Sequence, residues 1–215
     1  MNMLSSQMLL EIVFLTIVFS HITRKNFGAV LAYSMQSLAI AMVIFNSFLL
    51  TGATSLLFIA SLVLLVKVIM VPFFLARLIQ RHEIKFSVST YLNVPLTLIS
   101  IAGLVAVAHS RKFAPLTSIV PANQLLLSLA LSAMLLSFFL IINRKGAISQ
   151  IIGILSLENS IVAFAIFAGL EQSFSLQVGI VSDVFIWFII ATALAFMIYK
   201  HFGSLEVTSM KQLKD

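Results

Sequence analysis

Cysteine is missing from all 215 residues. Its absence removes disulfides, thiolate metal sites, iron–sulfur ligation and cysteine nucleophiles, and leaves no clue to a redox compartment. Charge is nearly as scarce. Only 9% of the residues are charged while 61% are hydrophobic, where a soluble domain carries roughly 25% charged residues. With a mean hydropathy of +1.14, the chain has too few polar side chains to cover a water-facing surface, so the solvent for its outer face is lipid. Also lacking are a P-loop, a GxGxxG turn and a GxSxG elbow. These absences leave no sequence signal for a catalytic residue or a metal site in this chain.

The formal charge is +6 and the pI about 9.9, but there is no basic stripe and no aromatic-interleaved basic segment, which argues against nucleic acid. The cations sit in pairs between apolar runs, as in the loops of membrane proteins. Runs of about 20 apolar residues predict helices near 4–23, 27–49, 54–79, 87–109, 119–142, 147–170 and 175–200. The expected fold is all-α, a polytopic bundle of about seven transmembrane helices. The first run has no basic n-region, contains Glu11 and lacks a small-x-small cleavage site, so it is read as a retained helix. The breaks Arg24-Lys25-Asn26, Arg81-His82-Glu83 and Asn143-Arg144-Lys145-Gly146 are expected to stay in water, and the tail from Gly203 to Asp215 to lie outside the membrane.

With seven helices, the loops after the first, third and fifth share a side with the C-terminal tail. That side holds Arg24, Lys25, Arg77, Arg81, Lys85, Arg144, Lys145, Lys200, Lys211 and Lys214, against only Arg111 and Lys112 opposite. The bias predicts a cytoplasmic C-terminus and an external N-terminus. A weak internal repeat lays Thr23-Arg24-Lys25-Asn26 on Asn143-Arg144-Lys145-Gly146, and Val66-Lys67-Val68-Ile69 on Ser182-Asp183-Val184-Phe185. It divides the chain into residues 1–86 (helices one to three, the first pseudo-repeat), 87–118 (helix four, a connector), 119–202 (helices five to seven) and 203–215 (a cytoplasmic tail), with the two units running in the same direction.

Polar groups inside the lipid spans carry the information about chemistry, because a charge at the bilayer centre costs roughly 2.5–3.5 kcal/mol on insertion scales. Glu158 lies near the middle of the sixth run among apolar neighbours. Desolvation there favours the neutral carboxyl, which equips it to take up and release a proton; a permanently protonated carboxyl serving as glue between helices is the alternative. Lys67 falls at the middle of the third run and must lose its proton or find a carboxylate. Pro72 is expected to kink that helix and free a carbonyl beside the lysine. Asp183 lies about a third of the way into the seventh run, where a water-exposed cap is the competing reading. Lys67 is expected to pair with Glu158 or Asp183. Gln36 lies close to the repeat equivalent of Glu158, and Ser156 and Asn159 are supporting polar residues, with Asn159 expected to face a different neighbour from Glu158. Glu11 and Glu171 read as solvated, and His21, His82, His109 and His201 as interfacial, with no metal-ligand spacing among them. The many serines are read as bonding helix to helix.

The run Gly153-Ile154-Leu155-Ser156-Leu157-Glu158-Asn159-Ser160, the later Gly179-Ile180-Val181-Ser182-Asp183 and the tail Gly203-Ser204-Leu205-Glu206-Val207 resemble the membrane subunit called component E of hydrogenase-4 and formate hydrogenlyase complexes. Tyr33-Ser34-Met35-Gln36-Ser37-Leu38 and Lys67-Val68-Ile69-Met70-Val71-Pro72 are similar to its second and third helices. More distantly, helices five to seven resemble the K-type subunit of complex I and the C subunit of multisubunit cation/proton antiporters. In those families a midmembrane glutamate belongs to the proton path, and Glu158 is the matching position. The K-type subunit has a second buried glutamate on its third helix, whereas the acid on the seventh helix here is Asp183. The resemblance implies a cofactor-free subunit of a redox-linked complex in a bacterial or archaeal inner membrane. Its partners would be antiporter-like membrane subunits and hydrogenase or other redox subunits. Its role would be either a part of a proton or sodium path or a scaffold for the antiporter-like subunits; a subunit of a cation/proton antiporter and a free-standing transporter are the further alternatives.

Overall fold

Apolar runs long enough to cross a bilayer satisfy their backbone only as helices, and the chain forms seven helical units. The computed structural model describes residues 3–81, 89–169 and nine single positions between Val178 and Lys200, each of them helical. α1 spans Met3–Ile22 and α2 Asn26–Thr51. The third unit is α3 (Thr54–Val63), a π-helical segment (Leu64–Met70) and α4 (Val71–Arg81) in unbroken succession. α5 (Val94–Ala108) is followed by a short 3₁₀ turn and α6 (Ala114–Thr117); α7 (Gln124–Asn143) and α8 (Ala147–Phe167) complete the described helices. Four of the continuous helical stretches are long and apolar enough to span a membrane, and α5 with its bent continuation makes a fifth.

α1, α2, α8 and α7 form a ring in that order, each packed on the next; α3, the π segment and α4 run along α2, and α5 lies along α7. Large apolar side chains such as Leu15, Leu31, Ile99 and Phe138 face outward, while Gln36, Ser37, Lys67, Ser132, Ser156 and Asn159 are buried. An apolar exterior around an interior that is mainly apolar but holds these polar groups differs from a soluble protein, and with the long apolar helices it makes the molecule a multi-pass membrane protein.

The π segment has a reading in the sequence pattern. Ile59, Val63, Lys67, Val71, Leu75 and Ile79 are all buried and stand four residues apart. A four-residue step overshoots a 3.6-residue turn by about 40°, so such a stripe drifts around a plain α-helix. The wider i→i+5 turn takes up part of that drift and keeps Lys67 on the α2 side. Pro72 lies just beyond and cannot donate to the Val68 carbonyl four residues back. That carbonyl instead accepts from the Ser34 hydroxyl of α2, at 3.1 Å.

Two expectations need correction. The fourth helix was placed at 87–109 but starts at Val94. The Asn93 side chain accepts from the Leu96 N–H at 3.0 Å, and Pro95 fills the first turn, a start signal stronger than the apolar run. It also does not continue straight, since the chain bends by 49° between α5 and the segment Arg111–Thr117. Secondly, the break at 143–146 is not in water. Asn143 and Arg144 are buried. The Asn143 amide accepts from Leu92 N–H at 2.9 Å and donates to the Thr97 hydroxyl at 3.3 Å, while Arg144 donates to the carbonyls of Ser20 and Thr23 at the end of α1. Lys145 N–H meets the Ser89 carbonyl, and Ser149 donates to the Asn26 side chain at 3.1 Å. The breaks after the first, third and fifth helices therefore share one end of the bundle, as the helix count requires. At the other end, Asn123 donates to the Phe167 carbonyl.

The serines divide their work. Ser137 and Ser160 bridge α7 and α8 at 3.3 Å, while Ser128 and Ser132 bond back to carbonyls of their own helix, relieving a buried hydroxyl without linking helices.

Gly153 sits where α8 crosses α7 closely. A Cβ there would stand 2.8 Å from Ile141 Cγ1 and 3.1 Å from the Ile141 backbone nitrogen, whereas one at Gly103 of α5 would meet nothing within 4 Å. Gly153→Ala should destabilise the detergent-purified protein by about 1–3 kcal/mol. Gly103→Ala should stabilise it by about 0.5–1 kcal/mol through helix propensity. Thermal unfolding of the two variants should shift in opposite directions.

Candidate functional site

α2, the π segment and α8 meet at the centre of the membrane-spanning region. Lys67 lies midway along the span Thr54–Gln80, and Glu158 one residue past the midpoint of Ala147–Phe167. Two charged groups on different helices thus reach the same depth, which is the condition for pairing. Lys67 Nζ donates to Glu158 Oε1 at 2.5 Å. Of the two candidate partners for the lysine, Glu158 is the one in contact; Asp183 lies outside the described residues.

Burial sets the character of this pair. Lys67 is 1% exposed, and the Glu158 side chain 18%. An isolated charge here would be strongly disfavoured, but an ammonium against a carboxylate is neutral as a unit and each satisfies the other. The pair is the only salt bridge among the described residues. Lys67 also reaches the Asn159 carbonyl oxygen at 3.3 Å, and the Asn159 amide donates to the Ser37 hydroxyl on α2 at 3.0 Å. Asn159 was expected to face a different neighbour from Glu158. Although the two residues are about 100° apart around α8, the lysine enters between them and contacts both. The sequence reading omitted Ser37, the residue that ties this network to α2.

Gln36 and Ser156 flank the cluster, one on each side of the α2–α8 seam. Both are fully buried, and neither atom of the Gln36 amide nor the Ser156 hydroxyl has a hydrogen-bond partner among the described residues. Polar atoms buried this way are costly in a protein interior. The Tyr33 ring is buried one turn before Ser37 on the same helix. The polar seam continues to Asn26 and Ser149, which bond to each other, at the end of the bundle that gathers the basic breaks.

The outlying expectations fare differently. Glu11 is exposed and accepts from Gln7 at 2.9 Å. His109 is exposed at the end of α5. His21 stands in the last turn of α1 but faces the protein: it is buried, its Nε2–H donates to the Leu136 carbonyl at 3.0 Å, and its ring stacks on Phe139. No group of three potential metal ligands occurs among the described residues. His82, His201 and Glu171, like the tail at 203–215, lie outside them.

Removing one member of a buried pair leaves the other without its counter-charge, whereas replacing both by apolar side chains does not. Lys67→Met should therefore destabilise the protein by about 3 kcal/mol, and Lys67→Met with Glu158→Leu should recover most of that loss. Equal destabilisation in the single and double variants, read by chemical unfolding in detergent, would show that the loss in Lys67→Met does not come from a carboxylate left without its counter-charge.

Compared with family models, with curated proteins and with solved structures, the chain matches none.

Proposed function

We propose that this chain is a cofactor-free membrane subunit of a redox-driven, complex I-like assembly of the hydrogenase-4 or formate hydrogenlyase type, and that Lys67 and Glu158 form one station of its proton or sodium path. The observation that carries this reading is the ion pair held at mid-span with a second acceptor, Asn159, within reach of the same ammonium. A purely structural pair needs only the carboxylate, whereas the Lys67 ammonium holds two oxygens at once and keeps the weaker one when the carboxylate lets go. A proton or cation arriving at Glu158 neutralises the carboxylate and weakens its hold on Lys67. The ammonium then shifts towards Asn159. Departure of the ion restores the first arrangement.

The buried polar atoms of Gln36 and Ser156 extend the polar seam between α2 and α8 towards the basic end. In this reading that end is cytoplasmic and the N-terminus external, in a bacterial or archaeal inner membrane. Asp183, the acid of the seventh apolar run, is the further member of the path in this reading. Antiporter-like subunits and the subunits bearing the redox centres are the partners, as the likeness of residues 33–38, 67–72 and 153–160 to component E implies.

A scaffold role is the second reading, favoured by the way Lys67, Asn159 and Ser37 fasten three elements together. Glu158→Gln separates the two, because it keeps the shape and hydrogen bonding of the side chain but cannot hold a transferable proton. With the complex assembled at wild-type levels in inverted membrane vesicles, redox-driven ion uptake should fall about tenfold or more. Unchanged uptake at normal assembly would leave the scaffold as the function.

A further inference from the structure

A second polar site lies at the end of the bundle where the three breaks meet. A cavity of about 290 Å³ opens there, lined by His21, Arg24, Thr90, Asn93, Thr97 and Arg144 among others, with no acidic residue among the described residues of its wall. Arg144 is its buried charge, 1% exposed. Burial lowers its affinity for the proton, to a pKa of about 10, so it remains a cation at neutral pH.

The local contacts account for only part of that guanidinium. One terminal nitrogen donates to the Ser20 and Thr23 carbonyls, where the negative end of α1 offers partial compensation. Its Nε has no partner among the described residues, nor does Nδ1 of the neighbouring His21. No carboxylate among the described residues pairs with Arg144. A buried cation without a counter-charge is strongly disfavoured, and here it borders a cavity whose described wall joins cations, hydroxyls and the Asn93 amide to the apolar side chains of Ile22, Leu92 and Val94.

We infer that this cavity is an anion-binding site for a phosphate oxyanion, held by Arg144 at its base and Arg24 at its mouth. The guanidinium geometry suits phosphate oxygens, and the exposed Arg24 sits where it attracts an anion from solution or from the membrane surface. The same chemistry is offered by a phospholipid headgroup and by free phosphate. This site is separate from the Lys67–Glu158 pair and does not depend on the function proposed for it.

The test uses the full chain purified in phosphate-free detergent, with three probes: inorganic phosphate, phosphatidylglycerol, and diacylglycerol as a lipid without phosphate. Bound lipid is read by native mass spectrometry and inorganic phosphate by calorimetry. Saturable binding of phosphatidylglycerol over diacylglycerol is expected. Binding of inorganic phosphate as well identifies a free oxyanion as a ligand, and its failure to bind identifies the lipid headgroup. Arg144→Gln should weaken binding about a hundredfold, but it also removes the cap on α1, so a second variant leaves that contact intact. Arg24→Gln, at the exposed rim, keeps the fold and should weaken binding about threefold to tenfold. No binding of either phosphate-bearing probe, equal binding of diacylglycerol, or unchanged binding in Arg24→Gln each overturns the inference.

Discussion

Hydrocarbon tolerates a charge only in company, and the bundle is arranged around that constraint. Lys67 and Glu158 come from elements separated by 91 positions in the chain, yet each sits at the middle of its own span. Any slip of one helix along its axis by a turn, about 5.4 Å, would part the ammonium from the carboxylate. The pair therefore sets the vertical register of the third unit against α8. With Asn159 bonded to Ser37, α2 is held between them at the same level. Among helices that lipid surrounds, where apolar surface gains little from packing on apolar surface, such polar contacts and close crossings supply specificity.

The same economy of polar contacts governs the ends of the helices. Lys67 approaches α8 from a π segment, a form rare enough to need a reason, and the six buried residues spaced by four supply one. Pro72 would leave the Val68 carbonyl without an intrahelical donor in hydrocarbon, and Ser34 donates to it. The carbonyls ending α1 receive Arg144, and the turn entering α5 is tied to Asn143. At each irregularity a side chain from another helix supplies the missing hydrogen bond, as a bilayer demands.

Much of this was legible beforehand, for one reason: insertion energy is a local property. Apolar runs announce helices, and a lysine or glutamate inside one stands out by its cost, so the helix count and the importance of Lys67 and Glu158 can be read directly. Lateral adjacency is different. Glu158 and Asp183 were equal candidates for Lys67 because nothing in the spacing says which helix lies beside the third. Arg144 was misplaced because composition assigns a basic tetrad to water, whereas burial depends on how three distant breaks converge. The start of α5 at Val94 was available in the Asn93 cap and Pro95 but was outweighed by hydropathy.

The proposed ion-path reading rests finally on the difference between a lone acid and a paired one. A lone carboxyl in hydrocarbon stays neutral and responds weakly to charges elsewhere, since its own desolvation dominates. A carboxylate bound to an ammonium is poised otherwise. The desolvation of both charges is offset by their attraction, so a modest change in field, such as a charge moving in an adjoining subunit, tips the balance through the position of one flexible side chain. Lysine has the reach for that movement, and the Asn159 oxygen at 3.3 Å against the Glu158 oxygen at 2.5 Å offers it a second, weaker hold. An arginine, with its rigid planar fork, would lock a carboxylate more firmly and exchange less readily. The choice of lysine at position 67 is thus better suited to a pair that must part than to one that only fastens.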